Sequence, residues 1–226
     1  MQKLQFVLAA ALALSAALVS PAHAQSTTTT TNATESADAA YTRTITKRSA
    51  DIVTALALTD EAKSNRVQEV LVAQYRALNA WHEKHDAEIK ALNPTASNTD
   101  KAAATKAKEQ IAQTQATLKP VHDEFLAKLA ADLTPAQVET VKDRMTYGKV
   151  KVTYDAYCKQ IPDLSDEEKA QVLALLKEAR ELAIDGGSAE EKTAIFGKYK
   201  GKINNYLSAQ GHNKKPKPAA QPAPKP

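Results

Sequence analysis

The sequence predicts an all-α protein: a helical bundle of about seven helices with a long N-terminal helical hairpin, flanked by disordered tails. Three observations point there. Apolar residues recur at intervals of three and four through most of 41–211, the period of a helix buried on one face. Strand-like alternation is nearly absent, KVKVTY at 149–154 being the one clear run. Helix starts are also spelled out. Thr134-Pro135-Ala136-Gln137, Ser165-Asp166-Glu167-Glu168 and Ser188-Ala189-Glu190-Glu191 match the capping box, with Pro135 at the first helical position.

Taken in order, residues 1–24 have the form of an export leader. Lys3 precedes the apolar run 6–19, and Ala22-His23-Ala24 supplies a small-x-small cleavage site. The run is too short and wrongly flanked to span a membrane. Cleavage after Ala24 is expected, placing the protein in the periplasm or outside the cell. The Thr-rich tract 25–40 and the Lys/Pro/Ala-rich tail 212–226 lack apolar periodicity and are expected to be disordered. A single helical domain, 41–211, lies between them.

Within that domain a first helix is expected near 42–57, and Leu58-Thr59-Asp60-Glu61 is a looser start signal. A second helix over 60–92 aligns Val67, Val70, Leu71, Tyr75, Leu78, Trp81, Ile89 and Leu92. A polar turn, 93–99, leads to a third helix over 100–132, which Pro120 should kink or break. Helices near 135–147, 153–160, 166–184 and 189–209 follow, with 149–154 as an extended link. Asn93-Pro94, Gly148, Pro162, Gly186-Gly187 and Gly211 provide the stops.

Charge and motif content remove several function classes. Of the formal charge of +4, Lys3 contributes one and Lys214, Lys215, Lys217 and Lys225 contribute four, which leaves leader and core together at −1. A nucleic-acid binder concentrates positive charge on its folded part, so no nucleic-acid partner is expected. Cys158 is the only cysteine and lies among Tyr154, Tyr157 and Ile161, as a packed structural thiol would. No Gly-x-Ser-x-Gly elbow, phosphate-binding Gly loop or zinc-protease helix motif is present. Acidic pairs such as Glu190-Glu191 fall in first turns, where the helix dipole accounts for them. Asp143, Arg144 and Tyr147 form the one grouping with acid/base potential.

His82, His85 and Asp86 share a helix face and invite a metal reading. If the hairpin turns near residue 96, however, His122 lies about 18 Å along the axis from His82, at 1.5 Å per residue. No metal or cofactor is expected, and no enzymatic activity.

The stretch GKYKGKINNYLSAQG at 197–211 places Gly197, Gly201, Asn204, Asn205 and Ser208 on one face of a helix. Glycines four apart admit a close approach, and Asn amides present both donors and acceptors. Six of the ten aromatics beyond the leader lie within 147–206. A candidate ligand-binding set follows: Asp143, Tyr147, Tyr154, Tyr157, Tyr199, Asn204 and Asn205. The glycine/asparagine face is expected to meet residues 145–148 and the 149–157 link in one enclosed polar region.

VKDRMTYG (141–148), IPDLSDEEK, EAREL (178–182) and FGKYKGKINNYLSAQG (196–211) together resemble a bacterial family of unknown function. The resemblance runs from about Tyr41 to His212 and is most specific in its last 70 or so residues. It implies an all-helical exported domain whose suggested role goes no further than sugar binding, and it supplies no catalytic residues. The expectation is therefore an exported, non-catalytic protein whose partner is an oligosaccharide or polysaccharide. An alternative is a periplasmic chaperone or stress protein, because Leu133-Thr134-x-x-Gln137 and looser echoes at 58 and 164 are similar to the repeats of a small helical chaperone family.

Overall fold

The computed structural model describes residues 36–92 and 101–212, which form eight α-helices and no strand among the described residues. The export leader, most of the Thr-rich tract, the 93–99 turn and the tail beyond His212 lie outside them. α1 (Ala37–Ala55) starts earlier than expected, because Ser36 caps it by accepting the Ala39 N–H. α2 (Glu61–Leu92) begins behind Asp60, whose carboxylate accepts the Lys63 N–H at 3.0 Å.

The returning limb of the hairpin is two helices, α3 (Lys101–Ala116) and α4 (Lys119–Asp132). The break falls at Thr117–Leu118, just ahead of Pro120, which has no N–H to continue the ladder. α5 (Pro135–Met145) opens on a complete Thr134/Gln137 capping box, and α7 (Asp166–Ala183) on a Ser165/Glu168 box. α8 (Ala189–Ala209) is capped by Ser188.

α6 (Lys149–Gln160) corrects the extended link expected at 149–154. The alternation of Val150, Val152 and Tyr154 is not the pattern that is buried. Val150, Thr153 and Tyr157 face the core at helical spacing, while Val152 is 68% exposed. Gly148, at φ 64°, turns the chain so that a new helix starts at once.

Two apolar cores result. In the N-terminal core α1, α2, α4 and α5 enclose Ile52, Val67, Leu71, Phe125, Leu129 and Val141. In the C-terminal core α6, α7 and α8 enclose Tyr157, Val172, Leu176, Phe196, Ile203 and Leu207. The contact of α5 with α7 between them is polar. Arg180 is 2% exposed and donates to Asp143 at 2.7 Å, to Glu139 and to Glu181. Lys142 is also buried and meets Glu181 at 2.8 Å. Among the described residues no helix is long and apolar enough to cross a membrane.

Candidate functional site

A cleft of about 870 Å³ opens where α1, α2, the end of α5 and the α7–α8 loop converge, at the seam between the cores. On α2, Tyr75, Leu78, Asn79 and His82 lie at i, i+3, i+4 and i+7, so one helix face supplies one wall. Tyr41 and Arg48, seven residues apart on α1, line a second wall for the same reason. The Tyr41 hydroxyl donates to the Tyr75 carbonyl at 2.8 Å and ties the two walls together. Burial pushes the Tyr75 phenol up to about 12.

The rim opposite is the turn after α5. Tyr147 and Gly148 both adopt left-handed backbone, at φ 59° and 64°. For a residue with a Cβ that conformation costs about 1–2 kcal/mol. The Tyr147 side chain is 53% exposed at the cleft, so burial offsets little of the cost.

The base of the cleft is a set of interlocked charges. Lys192 is 5% exposed, and its ammonium donates to the Met145 and Ile184 carbonyls at 3.4 and 3.3 Å. Those carbonyls end α5 and α7, where a cation is favoured. Burial pulls the Lys192 amine down to about 8, against the opposing pull of Asp185 and Glu191. His82 meets the Asp185 carbonyl through Nε2 and the Asp86 carboxylate through Nδ1, both at 2.8 Å. Both partners only accept, so the ring satisfies them as a doubly protonated imidazolium. Burial pulls its pKa down, but these two bonds outweigh that and raise it.

His122 bonds the Asp185 carboxylate at 2.7 Å, which raises its pKa as well. One residue at the end of α7 therefore joins histidines of α2 and α4, a link that counting residues along the hairpin did not include. No group of three His, Cys, Asp or Glu among the described residues is placed to hold a metal. Gly187 closes this base. A Cβ there would stand 2.7 Å from the His82 ring, so only glycine lets the loop pass.

The structure divides the sequence-predicted set instead of gathering it. Asp143 and Tyr147 line the cleft, although the Asp143 carboxylate is held by Arg180. Tyr157 lies in the C-terminal core, donating to the Asn204 side-chain oxygen at 2.8 Å, and Tyr199 is buried beside it. Tyr154 is half-buried, and its hydrogen bond with Cys158 raises its pKa; Cys158 too is only half-buried. Asn205 is exposed.

The close approach expected at Gly197 and Gly201 does not occur. Both are exposed, and an added Cβ would meet nothing within 4 Å. α8 is held by the opposite face, through Phe196, Tyr199, Ile203 and Leu207, while Asn204 and the Lys200 carbonyl accept from Tyr157 of α6.

Tyr41, Arg48, Tyr75 and Lys192 were missed. Lys192 left a signal, because it stands four residues before Phe196 on the apolar stripe of α8. Tyr41 and Tyr75 left none, being aromatics far apart in sequence, with Tyr75 reading as one more residue of the α2 apolar stripe.

Fold and cleft define a class: an all-helical domain with two cores and a tyrosine-walled, partly cationic cleft where they join. Within that class the chain belongs to the DUF3826 family, proteins of unknown function, whose model matches residues 42–219. No curated protein matches the chain.

Proposed function

We propose that the protein is an exported, non-catalytic carbohydrate-binding domain that takes an oligosaccharide into this cleft. The observation that carries the reading is Tyr147, an aromatic side chain held in a costly backbone conformation and left half-exposed at the rim. Strain of that kind clusters at functional positions, and of the described non-glycine residues that carry it Tyr147 is the one at the cleft. Tyr41, Tyr75 and Tyr147 offer flat rings to the C–H faces of a sugar, and Asn79 and Ser188 offer hydrogen bonds to hydroxyls. The cleft, about 870 Å³, falls within the size range of small-ligand sites. Of its carboxylates, Asp51 and Asp143 are paired with Lys47 and Arg180 and Glu190 lies in the first turn of α8, which suits binding better than proton transfer.

Isothermal titration of the mature chain with an oligosaccharide panel, repeated on Tyr147→Gly, tests the reading. Glycine accepts the left-handed backbone, so stability should hold or rise by about 1 kcal/mol, while binding is lost. Full binding by the glycine variant would sink the proposal. Export rests on residues 1–24 alone, and an intact mass beginning at Gln25 on secreted protein is its check.

A further inference from the structure

We infer that the cleft selects an acidic sugar, its carboxylate received by Arg48 of α1 and Arg144 of α5. This rests on the carbohydrate reading above and goes beyond it to the class of ligand. The argument is one of charge compensation. Most ionisable side chains lining the cleft have a partner of their own. Asp51 pairs with Lys47, Asp143 with Arg180 and Lys151 with Asp155, while Lys192 donates to two carbonyls.

Arg48 and Arg144 do not: neither side chain makes a hydrogen bond or ion pair with any described residue, and both line the cleft. The remaining unpaired charge, Glu190, is exposed in the first turn of α8, where the helix N-terminus accommodates it.

The two arginines project from helices that pack against each other, with Tyr41 and Tyr75 on the wall beside Arg48. The field of Arg48 reaches both phenols and the Lys192 amine. A neutral sugar would leave both cations uncompensated. A uronate supplies what they lack, since guanidinium and carboxylate match as planar groups with paired hydrogen bonds. Its ring face remains free to stack on a tyrosine.

The test uses the mature chain and trisaccharides of galacturonate, glucuronate and mannuronate, each beside its carboxyl-reduced neutral form, by isothermal titration. At least one uronate trisaccharide should bind about tenfold or more tighter than its reduced form, a preference that weakens with added salt. Arg48→Gln and Arg144→Gln should each remove most of that preference. Both side chains are exposed, and a circular dichroism melt confirms that the variants fold.

Equal binding of acidic and reduced forms would overturn the inference while leaving the carbohydrate reading in place. Preference for a sulfate-bearing trisaccharide over every uronate would overturn the carboxylate assignment. No binding by any trisaccharide, with inorganic sulfate still raising the melting temperature of the wild type but not of the arginine variants, would overturn both readings. It would leave only an anion site.

Discussion

The seven tyrosines serve the two halves of the molecule in opposite ways. Tyr154, Tyr157, Tyr199 and Tyr206 belong to the C-terminal core or pack against it. Tyr41, Tyr75 and Tyr147 line the cleft on the N-terminal side, Tyr75 also packing against that core and Tyr147 standing exposed. The first group is dense in sequence and gathers at one core; the second is scattered in sequence and meets only at the cleft. Aromatic density along a chain thus reports core packing, whereas an open site is assembled from residues that the fold alone brings together.

The largest expected effect tests the polar seam separating these regions. Arg180→Met removes a buried guanidinium from three carboxylates and should cost about 2–3 kcal/mol in urea unfolding, because its charge-assisted hydrogen bonds are lost while the half-exposed carboxylates stay solvated. Trp81 lies on α2, so its fluorescence follows the N-terminal half while circular dichroism follows both halves. Coincident transitions in the variant would show that the cores stay coupled without the Arg180 bonds.

Next comes pH. The Lys192 amine is depressed to about 8 in the fold, against an ordinary 10.5. Between those values the unfolded chain binds more protons, so stability rises with pH, by about 2 kcal/mol from pH 8 to 10. Above pH 10 the raised pKa of Tyr75 reverses the trend, since its phenol stays protonated in the fold after it has ionised in the unfolded chain. Lys192→Met should flatten the rise. A wild-type curve already flat over that range would place the amine in water instead of at the base of the cleft.

The contrast between the tyrosine groups can itself be sharpened. Tyr157→Phe loses the bond to Asn204 and should lower stability by about 1 kcal/mol with ligand binding intact. That is the mirror image of Tyr147→Gly, and a binding defect in Tyr157→Phe would erase the distinction. The smallest effect lies on the exposed face of α8, where Gly201→Ala should stabilise by about 0.5–1 kcal/mol. A loss on thermal melting would mean that something does approach this face.

Much of the fold was legible because capping is local chemistry. Thr134, Ser165 and Ser188 each mark a helix start within four residues, and each accepts the expected N–H. The same chemistry explains the chaperone-like Leu-Thr-Pro-Ala-Gln stretch: Thr134 and Gln137 close a capping box while Leu133 is buried.

α6 was misread because Val150 and Val152 alternate as a strand would, and only the location of the core shows which of them is inside. At the site, Asp143 and Tyr147 were found through the MTYG turn. Arg48, Tyr41 and Tyr75 were not, because their place in the cleft comes from α1 and α2 meeting a loop more than 100 residues downstream. Gly197 and Gly201 misled for a different reason. A poor helix former can be tolerated on an exposed face as well as required on a buried one.

The break before Pro120 sets one further property. α3 buries none of its residues and packs chiefly on α2, with the Trp81–Thr117 hydrogen bond (2.9 Å) at its base. A helix of 16 residues without a core is close to the limit of what backbone hydrogen bonds sustain in water. Its amide hydrogens should therefore exchange with solvent through opening of this segment by itself, while those of α7 and α8 wait for the whole molecule to unfold. Within one chain, the clock for deuterium uptake runs at two speeds, and the change of pace falls between Thr117 and Lys119.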